Sequence, residues 1–182
     1  MDFPEYDGEP ELTKLLVSFY DIDKFIELAK KVQGKDLFLL LNELSEIASE
    51  SIENAGGHIV KFIGDSALIV FPETNVNGGI RTLMTLKGQL ESHLKKSGLG
   101  NTISFSASYG TVVVGYMGKS PFRYLDIIGD AVQLAFCING KPAKGLFSIT
   151  EAVLCELDQE TRTMFDVVKS QKIYVSHNSS NQ

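Results

Sequence analysis

A tight hairpin constrains this chain more than any other single feature. Two short apolar segments, 58–63 and 66–71, are separated only by Gly64-Asp65, a dipeptide of the kind that closes two-residue hairpin loops. Adjacent antiparallel strands follow, and the flanking pattern says what packs on them. Upstream, 23–32 places Phe25, Ile26, Leu28, Ala29 and Val32 on one helical face, ended by Gly34. A longer helix over 36–55 carries Leu37, Leu40, Leu41, Leu44, Ile47, Ala48 and Ile52 at spacings of three and four, and stops at Gly56-Gly57. Downstream, 76–96 repeats the helical spacing despite Gly78, Gly79 and Gly88.

Strand signals surround these helices. The apolar run 14–20 is too short for a lone helix and reads as a buried strand that ends at Asp21. Residues 103–116 alternate at Ile103, Phe105 and Ala107 and read as a long strand that Gly110 or Gly115 bends. A strand over 122–128 leads through Gly129-Asp130 into a helix over 131–138. The remainder reads as a strand over 146–149, a helix capped by Thr150 and a final hairpin over 165–175. This order predicts an α+β fold, ferredoxin-like in outline, with helices packed on a mostly antiparallel sheet. At 182 residues one domain is expected, spanning 14–176, with an irregular lead-in over 1–13 and a polar tail over 177–182.

Charge and composition exclude several classes. With 17 Lys+Arg against 23 Asp+Glu, net −6, the chain lacks the basic face that nucleic-acid binding requires. Even the longest interior apolar runs, such as 37–41, are far short of the ~20 residues of a membrane-spanning helix, so no membrane insertion is expected. An acidic start without a basic-then-apolar leader points to a cytoplasmic setting. Cys137 and Cys155 fit neither a disulfide scaffold nor a zinc site and read as buried thiols.

The chemistry is expected from carboxylates. Asp21 ends the first strand and Asp65 sits at the hairpin tip. If those strands are neighbours, both side chains meet at one sheet edge, where hard oxygen ligands would hold magnesium with a phosphate partner. Taken singly, each Asp also reads as a turn residue. Behind Asp21, the segment Ile22-Asp23-Lys24-Phe25 opens a helix whose free N–H groups attract phosphate oxygens. Asp23 reads there as the helix cap rather than a third metal ligand.

Four ordered segments carry a resemblance: Val17-Ser-Phe-Tyr-Asp-Ile-Asp-Lys-Phe25, Val60-Lys-Phe-Ile-Gly-Asp-Ser66, Tyr109-Gly-Thr-Val-Val-Val-Gly-Tyr-Met-Gly118 and Tyr124-Leu-Asp-Ile-Ile-Gly-Asp-Ala-Val132. Together they resemble the catalytic domain of class III nucleotidyl cyclases, over about 15–150. The Gly-Gly-Asp/Glu-Glu-Phe hairpin of the related diguanylate cyclases is replaced here by Ile63-Gly64-Asp65-Ser66. The resemblance implies a dimer, with itself or with another cyclase domain, and nucleotide sites between the subunits. It assigns Mg2+ (or Mn2+) binding to Asp21, Asp65 and the Ile22 carbonyl, and places Asp23, Lys24 and Phe25 beside the nucleotide. Lys61 and Asp126 fall on its purine-selecting pair. A Lys donor and an Asp acceptor suit adenine, whose edge offers a ring acceptor and an amino donor, so ATP is favoured over GTP.

One departure matters as much as the match. Where active members of that family carry Asn and, four residues on, Arg, this chain has Gln133 and Cys137. A thiol cannot replace a guanidinium fork, and a transition-state arginine in phosphoryl transfer is worth about 10³–10⁵ in rate. The expectation is an adenylate cyclase-like phosphorus–oxygen lyase of weak activity, or a degenerate homologue that binds nucleotide and dimerises as a regulatory module. Arg123, Lys141 and Lys144 are the nearby cations that could fill the gap.

Overall fold

The structure is a computed structural model and describes residues 9–32, 34–141, 144–168 and 173–177. The chain runs β1 (Glu11–Ile22), α1 (Phe25–Lys31), α2 (Gly34–Asn54), β2 (His58–Ile63), β3 (Ser66–Pro72), α3 (Val76–Lys96), β4 (Ile103–Met117), β5 (Tyr124–Ile128), α4 (Asp130–Ile138), β6 (Phe147–Thr150), α5 (Glu151–Glu156), α6 (Gln159–Arg162), β7 (Phe165–Val168) and β8 (Ile173–Ser176). The strands form one sheet in the order β2-β3-β1-β4-β6-β8-β7, with β5 paired to β4 off that path. Every described ladder is antiparallel except β4 with β6. This is the α+β sandwich that the order of elements predicts.

The sheet has two unequal faces. On one, α2 and α3 cover a large core in which Leu16, Tyr20, Ile69, Phe71 and Phe105 meet Ile52, Leu83 and Leu86. Gly79 lets α3 approach so closely that a Cβ there would stand 2.8 Å from Phe71 Cγ and 2.9 Å from Leu16 Cδ2. The other face has a smaller core, Leu15, Val17, Leu68, Val70, Val112 and Ile127 with Ala131 and Ala135 of α4. One nine-residue helix cannot cover a sheet this wide, so this second face keeps an open cleft.

Several boundaries differ from the sequence reading. Glu11–Thr13 belongs to β1 rather than to an irregular lead-in, because the long β4 supplies partners from Val114 down to Val112; residues 1–8 of that lead-in lie outside the described residues. The first helix starts at Phe25 rather than Asp23, since Lys24 takes φ 58° and breaks the helical path. His177, assigned to a frayed tail, donates its backbone N–H to the Met164 carbonyl at 3.2 Å; residues 178–182 lie outside the description. The final hairpin forms, β7 against β8, its turn being outside the description too. Both cysteines are exposed rather than buried. On α4 the buried positions are Ala131, Ala135 and Ile138, and Cys137, about 100° round the helix from Ile138, faces away from them. Among the described residues, no helix is long and apolar enough to cross a membrane.

Candidate active site

β1 and β3 are neighbours, paired from Leu15↔Pro72 to Tyr20↔Ala67. That register brings the hairpin tip beside the end of β1. Gly64, at φ 64°, makes the turn, and the Ile22 backbone N–H donates to Asp65 Oδ2 at 3.2 Å. Asp21 lies on the opposite side of β1 from the buried Tyr20 and Ile22 and accepts a hydrogen bond from the Asn139 side-chain amide. Both carboxyls are half-buried, and burial is the main reason that both sit above the usual carboxylate value. For Asp65, backbone N–H groups pull the value back and the Asp21 charge lifts it again. For Asp21, Lys144 and Asn139 pull it back while Asp23 lifts it. Two half-buried carboxylates with so little compensation suit a divalent cation with a taste for oxygen. Among the described residues no cluster of three or more His, Cys, Asp or Glu is set to hold a metal.

Asp23 is not the helix cap, and its carboxylate is held inside the protein. Its side chain is nearly buried, at 3% exposure, and accepts hydrogen bonds from Thr102 Oγ1 at 2.6 Å and Ser104 Oγ at 2.7 Å. Its backbone N–H donates to the Thr102 carbonyl at 2.9 Å. The residue staples the end of β1 to the start of β4. Lys24 stands in the N-cap position with no side-chain cap bond, and its carbonyl accepts from Glu27 and Leu28. The Phe25 ring packs on the larger core, so what Phe25 offers a ligand is backbone.

Lys61 and Asp126, on β2 and β5, form an ion pair with Nζ 2.6 Å from Oδ2. A register shift between Ile59 and Lys61 re-aims β2 at this point. Asp126 is 8% exposed and also accepts the Ile127 N–H at 2.9 Å. The pair opens on a mostly apolar cleft of ≈ 380 Å³ that Gln133, Phe136 and Cys137 of α4 line with Phe19 of β1. Four of the sequence-predicted positions, Lys61, Asp126, Gln133 and Cys137, therefore share one cleft. Asp21, Ile22 and Asp65 lie at the adjoining sheet edge, two residues beyond the cleft-lining Phe19 and Ile63. Asn139 was not found by sequence reasoning, because nothing local ties a loop amide to a carboxylate 118 positions away.

Residues 9–181 match the family described as the adenylate and guanylate cyclase catalytic domain. The chain belongs to that family, the class III nucleotidyl cyclase domains, whose members are lyases. It is 26% identical over 141 residues to an adenylate cyclase of Anabaena cylindrica, covering 73% of this chain and 28% of that protein. It is 30% identical over 146 residues to receptor-type guanylate cyclase gcy-19 of Caenorhabditis briggsae, covering 74% of this chain and 12% of that protein. The chain thus spans less than a third of either relative. Among solved structures, the adenylyl cyclase CyaB from P. aeruginosa superposes with a TM-score of 0.78 at 22% identity, over 96% of this chain and 98% of that one. Cyclase domains of this class depend on a divalent metal.

Proposed function

We propose that this chain is the catalytic domain of an adenylate cyclase that converts ATP to cyclic AMP and pyrophosphate at an interface between two such domains. The observation that carries it is the meeting of Asp65 with the end of β1 beside Asp21, next to a cleft holding the Lys61–Asp126 pair. In the reaction the ribose 3′ oxygen attacks the α-phosphorus, its proton passes to solvent water, a new P–O bond closes the ring, and the bond to the β-phosphate oxygen breaks to release pyrophosphate. Asp21, Asp65 and the Ile22 carbonyl would hold magnesium or manganese, which supplies activation of the hydroxyl and charge neutralisation on the phosphates. Asp126 accepts from the adenine amino group and Lys61 donates to a ring nitrogen, so base binding exchanges their mutual contact for contacts to the base. Exposed large apolar side chains support pairing with a second domain: Leu134 and Phe136 of α4 and Tyr116, Met117 and Tyr124 of the β4–β5 arm.

Gln133 and Cys137 supply no positive charge to the cleft, which favours slow turnover, or a regulatory domain that binds nucleotide without converting it. Purified protein assayed with ATP or GTP and Mg2+ or Mn2+ tests the proposal. Cyclic AMP formation above an Asp21→Ala control supports it, and a large gain from the double change Gln133→Asn, Cys137→Arg places the deficit on α4. No product from either protein leaves the regulatory reading.

A further inference from the structure

A polyphosphate brings more negative charge than the Asp21–Asp65 edge and a thiol at residue 137 can accommodate, so a cation must come from elsewhere. Of the cations near residue 137 in sequence, Arg123 spends its guanidinium on the Tyr116 ring, 4.8 Å from the centroid. Lys144 is placed differently. It approaches Asp23 only to 3.4 Å, longer than the 2.7–2.9 Å usual for charge-assisted bonds, and its side chain is 58% exposed. Asp23 already has two hydroxyl donors, so the ammonium is loosely committed. It lies over Gly140, where a Cβ would come within 2.8 Å of Nζ.

Lys144 is also not alone. It lines a cavity of ≈ 300 Å³ with Lys24 and Lys31, against Glu27 and the internally bonded Asp23. Lys24 is the one non-glycine residue with positive φ among those described, a conformation that side-chain-bearing residues rarely adopt. A glycine would adopt it freely, and what the lysine adds is an ammonium on this wall. We propose that Lys144, with Lys24 and Lys31 lining the same cavity, forms a seat for the polyphosphate tail of the nucleotide. The inference rests on the cyclase reading for its substrate, but not for its test.

The probe is inorganic tripolyphosphate, titrated calorimetrically into metal-free protein at low salt. Wild type should bind. Lys144→Gln should weaken binding about tenfold or more, Lys144→Arg should retain it, and Lys14→Gln, at the far end of β1, should leave it unchanged. Lys24→Gln serves as the second variant should Lys144→Gln fail to fold, with the same loss expected. No binding by wild type, or equal losses in Lys144→Gln and Lys14→Gln, overturns the seat. The two readings separate in the cyclase assay. Lys144-dependent tripolyphosphate binding without cyclic nucleotide formation sustains the seat and removes the cyclase, whereas turnover with an unchanged KM for ATP in Lys144→Gln does the reverse.

Discussion

Asp23→Ala should destabilise the domain more than any other single change at the turn after β1. The carboxylate is nearly buried and accepts two short hydroxyl bonds, 2.6 Å from Thr102 and 2.7 Å from Ser104. Hydrogen bonds to a charged group contribute about 1.5–3 kcal/mol each, or roughly 3–6 kcal/mol together. Part of that offsets the cost of keeping a charge out of water. The Ser104 hydroxyl also keeps one partner after the change, since the Gly145 N–H donates to it at 3.1 Å. A net loss of about 2–4 kcal/mol remains. For a domain of this size each kcal/mol moves the melting temperature by about 2–4 °C, so the midpoint should fall by roughly 5–15 °C. Asp23→Asn, which keeps the shape and loses the charge, should fall between. Thermal unfolding followed by circular dichroism measures both, and a shift under about 2 °C for Asp23→Ala would show that the staple between β1 and β4 contributes little. Because the same staple sets the turn behind Asp21, the variant should also lose most of the stabilisation that added Mg2+ or Mn2+ gives wild type.

In the folded chain the ionised forms of Asp21 and Asp65 are disfavoured relative to the unfolded chain. Each therefore lowers stability above its raised folded pKa and has no such effect once protonated. Asp21→Asn and Asp65→Asn should raise the melting temperature of metal-free protein at about pH 7.5, with the gain shrinking as pH falls through the raised pKa to the ordinary carboxylate value; a gain that persists at about pH 3 contradicts this. Two substitutions within α3 should have opposite signs in urea unfolding. Gly88→Ala meets nothing within 4 Å and gains up to ~1 kcal/mol of helix propensity, whereas the contacts at Gly79 cost about 1–3 kcal/mol and outweigh that gain. A thiol reagent added without denaturant should modify both Cys137 and Cys155; protection of either would contradict their exposure.

That the hairpin tip carrying Asp65 lies beside the end of β1 was legible before any coordinates, because each Asp sits at the end of a locally encoded strand and β1 needs only one neighbour for the two ends to meet. Lys61 and Asp126 were legible through the resemblance alone, since nothing in β2 or β5 by itself says that they face each other across the cleft. The cap expected at Asp23 followed a sound local rule, but Thr102 and Ser104, about 80 positions away, hold that carboxylate more strongly than a helix end could. The cysteines were misplaced for a related reason. α4 is apolar almost all round, with Leu134 48% and Phe136 64% exposed, so its periodicity does not say which side meets the sheet.

By itself the sequence determined most of the elements and their order, though not the short α6, together with the tight hairpin and the two carboxylates at strand ends, because hydrophobic period and turn chemistry act over a few residues. Tertiary structure alone decided which face of α4 is buried, how far β1 extends along β4, and which of Asp23, Asn139 and Lys144 gather behind Asp21. Those outcomes depend on contacts between segments far apart in the chain, and no local pattern carries that information.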